Sequence, residues 1–291
     1  MKTAQSAVAA GIIWLIVAWT PACREGRTQD KPESGLVPHI AEKPLPENKT
    51  IESRFPAPPG FERIPAEPGS FAAYLRGLPL KPQGAEVRLF DGRVKSAAGV
   101  YAAVVDLPIG NRDLHQCADA VIRLRAEYLF AAGRPDDIRF HFTNGFEAAY
   151  SRWRRGERIS AGRDGVRWTG AVRTEPDDGT FRGYLETVFA YAGTASLAAE
   201  LDDAAGDDPE IGDVFIRGGH PGHAVIVVDK ASDSQTGRSV FLLAQSYMPA
   251  QDIQVLVNPN EARLSPWYAA GFGDVLQTPQ WTFTSAEKKR F

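Results

Sequence analysis

Cys117 is the side chain of this sequence best placed to do chemistry. The segment Asn111-Arg112-Asp113-Leu114-His115-Gln116-Cys117 leads into a long helical run, and Asp113 with Gln116 has the spacing of a capping box. That puts Cys117 in the first turn, where unpaired backbone N–H groups and the positive end of the helix dipole favour thiolate over thiol and so a better nucleophile. A competing reading makes it a core residue, because Cys117, Val121, Leu124 and Tyr128 follow at helical spacing along one face.

A second chemical group lies far along the chain. Gly212 to Arg217, the glycine-rich Gly218-Gly219-His220-Pro221-Gly222 and His223 to Asp229 read as strand, turn and strand. The second strand is almost wholly apolar, so it must be covered on both faces, yet it opens with His223 at the mouth of the turn. The next apolar run, Ser239 to Tyr247, ends in Gln245, and the two runs form a natural hairpin. If Asp229 faces Ser239, His223 falls opposite Gln245 and both side chains point to one face. A slip of one residue would separate them. Read blandly, His223 caps a strand end and Gln245 satisfies buried backbone groups.

These residues need elements to hold them. Helical period appears in Ser70 to Leu78, Arg112 to Ala132, Gly145 to Trp153 and Phe181 to Leu201. Strands are predicted at Val87 to Phe90, Gly99 to Asp106, Ile138 to Phe142, Val166 to Trp168, Asp213 to Ile216, His223 to Asp229, Val240 to Ser246 and Ile253 to Val257. Helices early and strands late predict an α+β domain, its helical part packed on a twisted, largely antiparallel sheet. No internal repeat divides residues 69–291, which are read as one globular domain.

The N-terminus reads as an address. Lys2 and the apolar run from Ala7 to Thr20 have the layout of a signal peptide over residues 1–22, too short for a comfortable membrane span. Small residues before Cys23 resemble a bacterial lipobox, which implies acylation of its sulfur. Thr20 stands where a lipobox has Leu, so cleavage after Ala22 without acylation is the alternative. Residues 23–68, polar and rich in Pro, Glu and Lys, read as a tether between a membrane-held lipid and the domain. Either route exports the protein to the periplasm or the cell surface. A net charge of −3 and the lack of any basic stripe argue against nucleic acid as a partner.

Two resemblances follow. A cysteine at a helix start, His-Ala-Val heading a strand and an amide-Ser-aromatic on the next strand together resemble papain-like cysteine peptidases and amidases. The resemblance implies a papain-like fold, with Cys117 as nucleophile, His223 as base, Gln245 orienting the imidazole, and Asn111 or Gln116 as oxyanion donor. It implies no cofactor, and a substrate such as a peptide or peptidoglycan at the cell envelope. The sequence departs from true papains in lacking Cys-Gly-Ser-Cys-Trp, in Asn111 where Gln is usual and in Gln245 where Asn is usual. The stretches PPGFERIPAEPGSFAAYLRGLPLKP, NRDLHQCADAVIRLRAEYLF, GDVFIRGGHPGHAVIVVD and LLAQSYMPAQDIQVLVNP also resemble the bacterial domain-of-unknown-function family 4846, from about Pro58 to the C-terminus. That family implies a single domain and an envelope setting but no reaction.

Two rivals stand beside the hydrolase. A metal could sit among His220, His223, Asp213 and Asp229, although no Cys pair or helical His-x-x-x-His supports it. The stronger rival is a non-catalytic envelope lipoprotein binding a glycan, a peptide or a protein through Trp153, Trp168, Trp267 or Trp281, residues whose plainer role is core packing.

Overall fold

A computed structural model describes residues 49–170 and 178–291 of the chain. The leader, Cys23 and the tether up to residue 48 lie outside the described residues. The described part begins earlier than expected, because residues 49–68 belong to the fold. Helix α1 (Ile51–Arg54) is capped by the Thr50 hydroxyl, Ile51 is wholly buried, and strand β1 (Glu62–Arg63) pairs with the sheet. Three apolar anchors, Ile51, Phe55 and Phe61, suffice to bury a stretch whose average composition is polar.

Helix α2 (Phe71–Arg76), capped by Ser70, leads to strand β2 (Tyr101–Val104). The predicted strand around Val87 is only a pair of isolated bridges, Arg88 to Val94 and Leu89 to Gln251. Helix α3 (Cys117–Ala131) is buried on most of its circumference and stops at Gly133, whose φ of 71° lets the last carbonyls be satisfied by Gly133 and Arg134. It begins at Cys117 and not at Arg112. Asp113 does not cap it: the Asp119 carboxylate accepts the Gln116 backbone N–H at 2.9 Å from inside the first turn.

Beyond it, strands β3 (Arg139–His141) and β4 (Glu147–Ala149) form a hairpin that runs into helix α4 (Tyr150–Arg154). The helix expected from Gly145 is thus strand for its first half. A second hairpin, β5 (Ile159–Gly162) and β6 (Gly165–Trp168), follows. The expected helix over Phe181 to Leu201 is two, α5 (Asp178–Tyr191) and α6 (Thr194–Glu200), because the Gly193 N–H is taken by the Ser196 hydroxyl at 3.0 Å.

The last third builds the sheet. It contains β7 (Asp202–Asp203), β8 (Val214–Arg217), β9 (His223–Ser232), β10 (Ser239–Gln245), β11 (Gln254–Leu256), β12 (Tyr268–Ala269), β13 (Val275–Gln277), β14 (Thr282–Thr284) and β15 (Lys288–Arg290). Nine strands form one antiparallel sheet along β2-β11-β10-β9-β8-β15-β7, with β1 on β9 and β12 on β10. The architecture is α+β. Helices cover one face over Ile226, Val228, Leu242 and Ala244; the β13–β14 hairpin covers Phe215, Val225, Val227, Phe241 and Leu243 on the other. Burial on both faces is what the uninterrupted apolar run of β9 requires.

The hairpin register differs from the expected one. Ser239 pairs with Ser232, not Asp229, and Leu242 pairs with Asp229; the partner of Leu243 then jumps to Val227. Val228 is the extra residue of a β-bulge, and it faces the helices together with Asp229. Asp229 pins that bulge. Its buried carboxylate takes Arg76 of α2 at 2.7 Å, Arg63 of β1 at 2.8 Å and the Lys230 N–H at 2.9 Å. Asp229→Ala should therefore strand the buried Arg76 guanidinium and lower unfolding stability by about 3–5 kcal/mol in urea titration; an unchanged midpoint would show that the pair does not hold the bulge.

Candidate functional site

Downstream of the bulge, β10 and β9 pair as Leu243 with Val227 and Ala244 with Ile226. His223 and Gln245 consequently share the face of Val225, Val227 and Leu243. They meet: His223 Nε2 lies 2.8 Å from Gln245 Oε1. Without the bulge the pairing would put them on opposite faces.

The tautomer follows from what stands behind. The Lys95 ammonium has only donors, and it donates to Gln280 Oε1 at 2.8 Å and Gln251 Oε1 at 2.9 Å. Gln280 Oε1 also accepts Gln245 Nε2 at 2.9 Å. With Nε2 so committed, Gln245 presents its oxygen to the imidazole, which must donate from Nε2 and keep Nδ1 free as an acceptor. Trp281 and Phe283 of the covering hairpin pack on the ring at 5.3 and 6.0 Å between centroids, and Tyr247 packs at 4.8 Å. The aromatic lid makes the amide contact dry and leaves His223 2% exposed.

Cys117 arrives from the helical side. The Ser246 hydroxyl, next to Gln245, shares its one proton between the carbonyls of His115 at 2.9 Å and Gln251 at 2.8 Å. Asp113 Oδ1 accepts the Ala250 N–H at 2.7 Å and Gln116 Nε2 at 3.0 Å. These ties fix the start of α3 against the end of β10. Cys117 is a free thiol that receives a hydrogen bond from the backbone of Ala224, the residue after His223, and Tyr247 feels its charge.

A cleft of about 580 Å³ opens here, lined by Cys117, Gln116, Asp119, Phe189, the start of α6 and the turn residues Gly219, His220 and Gly222. Gly222 permits this wall: a Cβ on it would come 2.3 Å from Thr194 Oγ1 and 2.4 Å from Gly219 O. Asn111 is exposed and does not line the cleft, so of the two amides predicted as oxyanion donors only Gln116 is at hand. One Nε2 hydrogen of Gln116 goes to Asp113, and the other is available.

Charge at the sulfur differs from the expectation of a stabilised thiolate. Burial, then the negative charge of Asp119, push the Cys117 thiol up to about 11, outweighing the N–H groups of Cys117, Ala118 and Ala224 that pull it down. Burial pushes His223 down to about 4, against the hydrogen bond of Gln245, and Lys95 adds to the lowering. Burial thus favours the neutral form of each group, thiol and imidazole. Lys95, Gln280 and Asp119 carry no sequence signal as site residues, because they have no fixed spacing to Cys117, His223 or Gln245. Trp281 was legible as an aromatic but not as a lid on His223. Trp153 and Trp267 are buried in the core. No group of three metal-binding side chains occurs among the described residues.

Two measurements check these charges. The His223 ring should titrate near pH 4 by NMR, and Gln245→Leu should move it lower still, since the amide raises it. Alkylation of Cys117 by iodoacetamide at pH 7 should be roughly a hundredfold slower than that of a free thiol, because so little of a thiol raised to about 11 is ionised there, and the rate should still rise at pH 9.5; a plateau near pH 6 would show an ion pair instead.

No curated protein and no solved structure matches this chain. A family model does match, over residues 51–290, and its span agrees with the start of the fold at α1. The chain belongs to the family described as Domain of unknown function (4846).

Proposed function

We propose that the domain is a papain-like cysteine hydrolase that cleaves or transfers an amide, with Cys117 as nucleophile, His223 as base and Gln245 as the residue that orients the base. The observation that carries this reading is the 2.8 Å contact of His223 Nε2 with Gln245 Oε1, together with a cysteine that opens a helix, lines a cleft and takes a hydrogen bond from the backbone of Ala224, one residue past His223. A nucleophile, a base and a group holding the base are the parts that acyl transfer needs.

The chemistry starts from the neutral pair. As Cys117 Sγ attacks the carbonyl carbon, its proton passes to His223 Nδ1, and burial of both groups favours this concerted transfer over a standing ion pair. The backbone N–H of Cys117 and the spare Nε2 hydrogen of Gln116 are the donors for the developing oxyanion. Collapse breaks the C–N bond, and the imidazolium returns its proton to the leaving amine. Water deprotonated by His223 then opens the thioester, releases the acid and restores the thiol.

Export, with acylation at Cys23, would set this domain at the cell envelope, where peptidoglycan and surface peptides are the amides within reach. No helix among the described residues is long and apolar enough to cross a membrane. A second reading has one observation in its favour: a thiol held near 11 suits a non-catalytic envelope lipoprotein that binds a glycan, peptide or protein in the same cleft.

The test uses a peptide library and solubilised peptidoglycan, with new amino termini detected by mass spectrometry. Wild type should release amines, Cys117→Ala should release none, and Gln245→Ala should lose about 10²-fold or more in kcat. Full turnover by Cys117→Ala would sink the hydrolase. Ligand binding without turnover, unchanged in Cys117→Ala, would establish the binder.

A further inference from the structure

The start of α3 holds a second group that the hydrolytic cycle leaves unused. Asp119 lines the cleft with Cys117 and is 5% exposed. Its Oδ2 accepts the Gln116 N–H, but its Oδ1 has no partner among the described residues. A buried carboxylate oxygen without a donor is costly, and native structures leave few such atoms unexplained. The helix start accounts for one oxygen only.

The rest of the lining says what would satisfy the other. Two carboxylates, Asp113 and Asp119, face the cleft, and no Lys or Arg is among its lining residues. Asp113 already accepts from Gln116 and Ala250 and is exposed to water. Asp119 is the buried one, and the remaining wall mixes small or apolar residues such as Phe189, Ala190, Ala192 and Ala195 with the polar side chains of Gln116, Thr143, Thr194 and His220. Such a wall sets two carboxylates and no Lys or Arg against a bound anion, and offers an ammonium one strong acceptor.

We propose that Asp119 is a substrate-binding residue that selects an amide bearing a free, protonated amino group close to the bond attacked by Cys117. This rests on the hydrolase reading, since it assigns the substrate class of that same cleft. Burial raises the Asp119 carboxyl well above its usual range, against the Gln116 N–H, and the charge of Asp113 adds to the rise, so the ionised carboxylate is held at a cost. An arriving ammonium removes that cost by supplying the second donor. It also cancels the negative charge that, when Asp119 is ionised, holds the Cys117 thiol up. Binding the correct substrate therefore eases ionisation of the nucleophile, whereas an N-acylated analogue leaves both groups as they were.

Alanine chloromethyl ketone and its N-acetyl derivative test this on the full exported domain without knowledge of the natural substrate. Each alkylates a thiol by displacing chloride, and adducts at Cys117 are counted by intact mass. The free-amino reagent should label wild type about tenfold faster or more, the scale of one charge-assisted hydrogen bond. In Asp119→Asn, whose amide oxygen can still accept the Gln116 N–H, that preference should vanish while iodoacetamide continues to label Cys117. Equal rates for the two ketones in wild type, with Cys117 labelled by iodoacetamide, would overturn the amine assignment and leave the hydrolase standing. Failure of every reagent to label Cys117 in the folded protein would remove both.

Discussion

The β-bulge at Val228 decides which face of the sheet His223 presents, and so whether it meets Gln245. Before it, β9 and β10 pair in a register that would send His223 and Gln245 to opposite faces; after it, the two side chains share a face and touch. The extra residue turns Val228 and Asp229 to the same side, where Asp229 is gripped by Arg76 and Arg63 from two other elements. A salt bridge distant from the cleft thus sets the parity of the strand that carries the imidazole. An ion pair of this kind gives little net stability against an apolar replacement, but losing one partner is costly, which makes the bulge hard to undo piecemeal.

From that parity the rest of the site follows in order. The covering hairpin of β13 and β14 brings Gln280, Trp281 and Phe283 over the ring, and Lys95 orients the two amides in series. Ser246, one residue past Gln245, ties the loop before Cys117 to the end of the same strand. Each of these groups is held by a bond to a different element, so their relative positions depend on the packed sheet as a whole. The consequence is a dry site in which desolvation, more than any single charge, sets the protonation of sulfur and imidazole.

That balance gives the cleft its particular character. Burial drives both the thiol and the imidazole toward their neutral forms. The unused carboxyl of Asp119 sharpens the point, because its charge works against the thiolate until something cationic meets it.

The sequence by itself determined the α+β class and most element positions, and it singled out Cys117, His223 and Gln245 as candidates, because apolar period and glycine-rich turns are local signals. It also placed Cys117 at a helix start, although the cap came from Asp119 inside the helix and not from Asp113 before it. Only the tertiary structure decided the register, since a bulge has no reliable local signature and the expected pairing of Asp229 with Ser239 reached the right face for the wrong reason. Tertiary packing also drew residues 49–68 into the fold, split the helix at Gly193 and excluded Asn111 from the cleft. The protonation of Cys117 was beyond sequence for the same physical cause: the helix dipole is written in neighbouring residues, whereas the burial that overrules it is supplied by strands more than a hundred positions away.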